Sequence, residues 1–249
     1  MGLCLAVIRM GMYTVVFVVF AVIGACGHVL FFMSRSWLLK WISFFAQVWA
    51  RVTCMVFNIQ IRVEGDVSIK PGSLIVANHV GSPDIFVLGA CFKGFFVSKA
   101  EIADWPLFNW LARLGKTIFA DRGKRHQVKA LIADIEMRLN SGHCVILFPE
   151  AQATDGTNVV PFKSAVFEAA VLARRPVVPV EISYQDDHRP TIAYYGDSFI
   201  SHIVALLKTT RLPVTVTVFP QILPGPDRQS LAEKSYEAIR DKHAGSHPV

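Results

Sequence analysis

The sequence predicts an α/β protein: a largely parallel sheet flanked by helices, preceded by an N-terminal membrane-associated helical segment. Three observations carry this. From residue 59 onward, short apolar runs alternate with stretches of helical period. Residues 10–27 form an uncharged apolar run long enough to cross a bilayer. The chain is 53% hydrophobic and only 18% charged, against roughly 45–50% and about 25% in average soluble domains. The excess apolar surface must face lipid, an apolar ligand, or both.

A length of 249 residues suits one large domain or one domain with an appendage. The expected division is 1–58, an anchor with interfacial helices, and 59–249, the α/β body. Arg9 precedes the first apolar run. A signal peptide needs a shorter core and a small-residue cleavage site, so a retained anchor is expected; whether it spans or hairpins into one leaflet stays open. Basic residues Arg9, Arg35 and Lys40 flank it on both sides and do not decide topology. A second stretch, 37–61, carries Trp37, Trp41 and Trp49 but is broken by Lys40, Arg51 and Asn58. It suits an interfacial helix or an ordinary core helix.

In the body, Ile59–Glu64 alternates with period two, and strands are expected at 73–77, 95–98, 117–120, 144–148, 177–183, 191–195 and 214–219. Val128, Leu131, Ile132, Ile135 and Leu139 mark a helix, Ser164–Ala173 a second, and 228–243 a charged amphipathic third. Asp104, Trp105, Pro106 and the apolar residues to Leu114 form a further candidate, either dipping into an interface or packed in the core.

A net charge of +6 favours anionic partners. The apolar content points to lipid, and no nucleic-acid motif is present. The five cysteines, Cys4, Cys26, Cys54, Cys91 and Cys144, are scattered. They form neither a disulfide framework nor a zinc site, and read as apolar thiols in a reducing compartment. No metal-ligand motif is seen and no cofactor is implied.

In parallel α/β sheets, ligands bind beyond the carboxyl ends of strands. Strand 73–77 runs into Asn78, His79, Val80, Gly81, Ser82, Pro83 and Asp84. Ser82 suits an N-cap, Pro83 the first helical position and Asp84 the first turn, while Gly81 permits a sharp turn. The loop brings Asp84 to the His79 imidazole. A carboxylate-held histidine can take a proton from a hydroxyl, although a lone histidine is more often structural. A Ser82–His79–Asp84 hydrolase is a rival, weakened by the absence of a G-x-S-x-G turn. Asp121, Arg122, Lys124 and Arg125 follow another strand end; they form either an anion site or a solvated loop. Glu150 ends strand 144–148, as an acceptor of ligand hydroxyls or as a surface or capping residue.

His79 and Asp84 match the H-x-x-x-x-D motif, and the chain here resembles the 1-acylglycerol-3-phosphate acyltransferase family. Phe119 to Arg122, Phe148-Pro149-Glu150 and Val177 to Ile182 resemble three further motifs in the family's order, over roughly 73–185. The resemblance implies that 59–249 is an acyltransferase catalytic domain. It transfers a fatty acyl group from acyl-CoA or acyl carrier protein to a lysolipid hydroxyl, with 1-acylglycerol-3-phosphate the foremost acceptor and phosphatidic acid the product, in phospholipid biosynthesis. His79 would be the general base, Asp84 its orienting partner, and Arg122, Glu150 and, with lower weight, Lys99 would meet the acceptor.

The third motif departs from the family. Ala151 and Gln152 replace Gly and Thr, and Ala153 stands where a phosphate-binding Arg is usual. Lys163, near the next helix start, is the substitute cation. Thr154-Asp155-Gly156, Pro161-Phe162-Lys163 and Trp105 to Gly115 resemble a bacterial branch that acylates lyso-ornithine lipid, whose headgroup lacks phosphate. That branch implies an inner-membrane protein with its catalytic domain facing the cytoplasm. A third reading, from the same departures, is a non-catalytic lipid-binding protein. Oligomeric state is left open.

Overall fold

The computed structural model describes residues 2–99, 108–120, 125–185, 187–193 and 199–246. Two long helices come first, α1 (Gly2–Leu30) and α2 (Arg35–Phe57). Asn58 ends α2 in the left-handed conformation (φ 53°), which asparagine tolerates better than most residues. Strand β1 (Ile59–Glu64) follows, then β2 (Leu74–Ala77), α3 (Pro83–Cys91), β3 (Gly94–Lys99), α4 (Phe108–Leu114), β4 (Ile118–Ala120), α5 (Arg125–Asn140) and β5 (Cys144–Leu147). A 3-10 turn (Ser164–Phe167) leads into α6 (Glu168–Ala173), then β6 (Val177–Tyr184), α7 (Arg189–Ile192), α8 (Phe199–Lys208), β7 (Leu212–Val218) and α9 (Arg228–Ser246).

The seven strands form one sheet in the order β1-β7-β6-β2-β5-β3-β4. All neighbours are parallel except β6 and β7. Every residue of β2 and β5 is buried, as expected for central strands covered on both faces. Leu74 and Val76 pack on α5 and α6, whereas Ile75 and Ala77 share the opposite core with Ala50, Cys54 and Phe57 of α2.

Helix α1 is long and apolar enough to cross a membrane, yet it is tied to α8 and α2 along its length. The buried Arg9 guanidinium donates to the carbonyls of Leu207 (3.2 Å), Thr209 and Thr210 (3.1 Å) at the end of α8, the terminus where a cation is favoured. Tyr13 packs edge-on to Phe57. Gly27 lies against the Trp41 ring, where a Cβ would come within 2.4 Å. The other face exposes Leu3, Val7, Val15, Val18, Val22 and Val29. Arg9, read from sequence as a membrane flank, is therefore a helix-capping group.

Two segments differ from expectation. Residues 191–195 read as a strand, but the chain is helical over Arg189–Ile192, with Pro190 early in the turn, where its fixed φ and missing N–H fit; 194–195 lie outside the described residues. Helix α8 was not foreseen, because its helical spacing of Ile203, Leu206 and Leu207 sits in a single short run.

Candidate active site

Strand β2 ends at Ala77, and Asn78 then locks to β6: its amide donates to the Ile182 carbonyl (2.9 Å) and its carbonyl oxygen accepts from the Ile182 N–H (2.8 Å). This fixes the height at which His79 leaves the sheet. Nδ1 of His79 lies 2.7 Å from Oδ2 of Asp84. The same oxygen accepts N–H bonds from Val80 (2.7 Å) and Gly81 (3.0 Å), and Oδ1 accepts from the Tyr184 hydroxyl (2.7 Å). Burial and the Asp84 carboxylate push the Tyr184 phenol well above its ordinary pKa, so it stays a donor. With Asp84 fully buried and ringed by donors, Nδ1 is the nitrogen that donates, so the neutral form of the ring has its lone pair on Nε2, on the opposite edge. The imidazole stacks on Phe148 (centroids 4.1 Å, 15°).

Gly81 serves a different purpose from the one expected. Its φ is ordinary, but a Cβ would stand 1.9 Å from the Ile192 carbonyl oxygen, so only glycine lets α7 approach. Ser82 makes no side-chain cap bond to α3. Its hydroxyl pairs with Nε2 of His202 (2.8 Å) on α8, and burial holds that imidazole below its ordinary pKa. Ser82 thus pairs with His202 rather than His79, which removes the arrangement that a Ser82–His79–Asp84 hydrolase needs.

Glu150, expected at the acceptor, bonds backbone N–H groups on either side of it. It is 3% exposed. Oε2 accepts the N–H of His79 (2.8 Å) and Oε1 that of Val160 (3.0 Å). It braces the loop and the backbone of His79. Thr154 completes the brace, donating its N–H (2.8 Å) and hydroxyl (3.2 Å) to the His79 carbonyl. Burial pushes the Glu150 carboxyl up from 4.5 to about 7; the two N–H bonds oppose this without offsetting it. The folded state therefore holds this proton more tightly than the unfolded chain. The stability linked to it is complete below about pH 4.5 and is lost as pH rises through about 7. Relative to Glu150→Gln, the wild type should lose about 3 kcal/mol across that window and stay level above it, read by denaturant melts at stepped pH.

The imidazole forms part of the wall of a cavity of about 1250 Å³, larger than the roughly 300–1,000 Å³ of common small-molecule sites. Its walls are mainly apolar, with Tyr13, Phe17, Trp49, Phe86 and Leu206 among them. Ala151, Gln152 and Ala153 line the same cavity. Ala151 keeps a left-handed backbone (φ 70°), the conformation a glycine would take without strain. Lys163 is exposed and lines the cavity too. Lys99 ends β3 opposite Ala120, its side chain outside what the structure describes. Arg122 lies outside the described residues, as do residues 104–107.

A family model described as Acyltransferase matches residues 60–183. The lyso-ornithine lipid O-acyltransferase of Rhodobacter capsulatus is 33% identical over 211 residues, 80% of this chain and 76% of that protein. The 1-acyl-sn-glycerol-3-phosphate acyltransferase of Neisseria gonorrhoeae is 31% identical over 175 residues, 68% of each. The chain belongs to the 1-acylglycerol-3-phosphate acyltransferase family. A 1-acyl-sn-glycerophosphate acyltransferase, PlsC, from Thermotoga maritima has the same fold, with a TM-score of 0.69, 20% identity and 98% coverage of both chains.

Within this family frame, Tyr184 and Thr154 are the residues that sequence reasoning missed as parts of the site. Each holds the His79–Asp84 unit from a distant stretch of chain, and no local pattern announces such a contact.

Proposed function

We propose that this acyltransferase moves a fatty acyl group from acyl-CoA or acyl carrier protein onto the hydroxyl of a lysolipid. The observation that carries the reading is the His79–Asp84 pair, held at the end of β2 in the wall of a large apolar cavity. Nε2 takes the hydroxyl proton as the oxygen attacks the thioester carbonyl. The ester C–O bond forms, the C–S bond breaks, and the thiol leaves with the proton returned by His79. The transfer is direct, without an acyl-enzyme.

The acceptor proposed is lyso-ornithine lipid. The stretch 151–153, where the family carries a phosphate-binding arginine, presents Ala, Gln and Ala to the cavity, and an acceptor without phosphate needs no such cation. Relatives at 30–34% identity bearing the lyso-ornithine lipid acyltransferase name agree with this. Lys163 at the cavity supports a second reading, 1-acylglycerol-3-phosphate.

The exposed apolar face of α1 associates with the membrane. Residues 9 and 24, about 22 Å apart along the helix, lie against α8 and Leu114 of α4 respectively, so α1 lies along one leaflet rather than spanning. We place the protein on the inner membrane, facing the cytoplasm, in line with its bacterial relatives.

Purified protein given labelled acyl-CoA or acyl carrier protein, with both lysolipids side by side, tests the acceptor by mass spectrometry. Product from lyso-ornithine lipid, at least about tenfold above that from 1-acylglycerol-3-phosphate, is expected; such a preference corresponds to about 1.4 kcal/mol. The reverse preference assigns Lys163 to a phosphate. Lipid binding without product from either acceptor favours a non-catalytic protein.

A further inference from the structure

Helix α9 lies beyond the four motifs, yet it carries a buried histidine that reaches the loop behind the site. His243 and Glu181 of β6 are 4% and 1% exposed. Nδ1 of His243 is 3.1 Å from Oε1 of Glu181, and Nε2 is 3.1 Å from the carbonyl oxygen of Gly156. Both partners are acceptors, so the pair shares two protons: either an imidazolium faces a carboxylate, or a neutral ring accepts from the protonated acid while donating to Gly156. The Gly156 N–H in turn donates to Oγ1 of Thr154 (3.2 Å). Thr154 then donates through both its N–H and its hydroxyl to the carbonyl of His79. A continuous chain of hydrogen bonds thus runs from Glu181 through His243, Gly156 and Thr154 to the peptide of His79.

We propose that His243, paired with Glu181, is a positioning residue for acyl transfer, holding the 154–156 turn so that Thr154 fixes the backbone of His79. The proposal rests on His79 being the base. The bland alternative is a buried pair that merely seats α9 on the sheet. A buried pair by itself says little about stability, but the two readings differ in coupling. Groups acting through one chain are non-additive, whereas independent groups multiply their effects.

The experiment is a double-mutant cycle on the full chain. His243→Ala should lower kcat by about 10- to 100-fold with KM for the acyl donor held within about twofold, the pattern of a misplaced reacting group. Thr154→Val should lower kcat by about tenfold, and the double variant should fall no further than the more damaged single one, within about threefold. Glu181→Gln should stay within about threefold of wild type, because the amide can donate to Nδ1 while Nε2–H keeps Gly156. Where His243→Ala fails to fold, His243→Phe, which fills the site without donors, takes its place.

A readout independent of turnover is the rate at which diethylpyrocarbonate modifies His79, followed by peptide mass spectrometry. It should change about threefold or more in His243→Ala and Thr154→Val, but not in Glu181→Gln. Multiplicative losses of kcat, a Glu181→Gln variant as damaged as His243→Ala, or an unchanged modification rate overturns the proposal. A wild-type protein without transferase activity refutes the proposed function, while the modification rates still decide the coupling.

Discussion

Replacing His79 with alanine lowers kcat for acyl transfer by about 10³-fold, within the range that a positioned general base contributes. The fold should survive. The imidazole is 21% exposed, and the backbone bonds of this residue, to Glu150 and Thr154, remain when the side chain is removed. Unfolding stability should fall by about 1–3 kcal/mol, from the Nδ1–H bond lost to the buried Asp84 and the stacking lost on Phe148. Little change in KM is expected, because the apolar walls that hold the chain remain. Steady-state kinetics beside a denaturant melt separates the two effects.

Asp84→Asn should damage both activity and folding. The carboxylate takes two backbone N–H groups, the Tyr184 hydroxyl and Nδ1–H of His79, at 2.7–3.0 Å and without solvent contact. An asparagine amide has one acceptor oxygen, so its NH₂ faces donors at the other position. One outcome is a His79 ring in the wrong tautomer, with Nε2 protonated and unable to act as base. Losses of about 10²–10⁴ in kcat follow. Leaving buried donors unpaired adds about 2–4 kcal/mol of destabilisation. A variant within tenfold of wild type would mean that Asp84 only organises the turn.

Much of this site was legible because it is local. Apolar runs ended by turn residues marked β2 and the start of α3, and the five-residue spacing of His79 and Asp84 placed an imidazole and a carboxylate on one tight loop. The same reading assigned Ser82 to a cap and Glu150 to the acceptor. The bonds these two side chains make, to His202 and to the N–H of His79, reach 120 and 71 residues away, and which groups a side chain meets across the sheet is decided by topology. Arg9 shows the same limit. A basic residue beside an apolar run reads as a membrane flank until α8 is folded beneath it. Strand order was equally hidden: β1 pairs with β7 across most of the chain, while each reads only as a short alternating run.

The most direct test of the central claim is intact-protein and lipid mass spectrometry in one time course, with acyl-CoA or acyl carrier protein and a lysolipid in detergent. Direct transfer assisted by His79 predicts acylated lipid and free thiol carrier in equal amounts, no acyl mass on the protein at any time, and loss of product in His79→Ala. An acyl adduct on Ser82 that forms and decays with turnover, or product formation undiminished without His79, would contradict it.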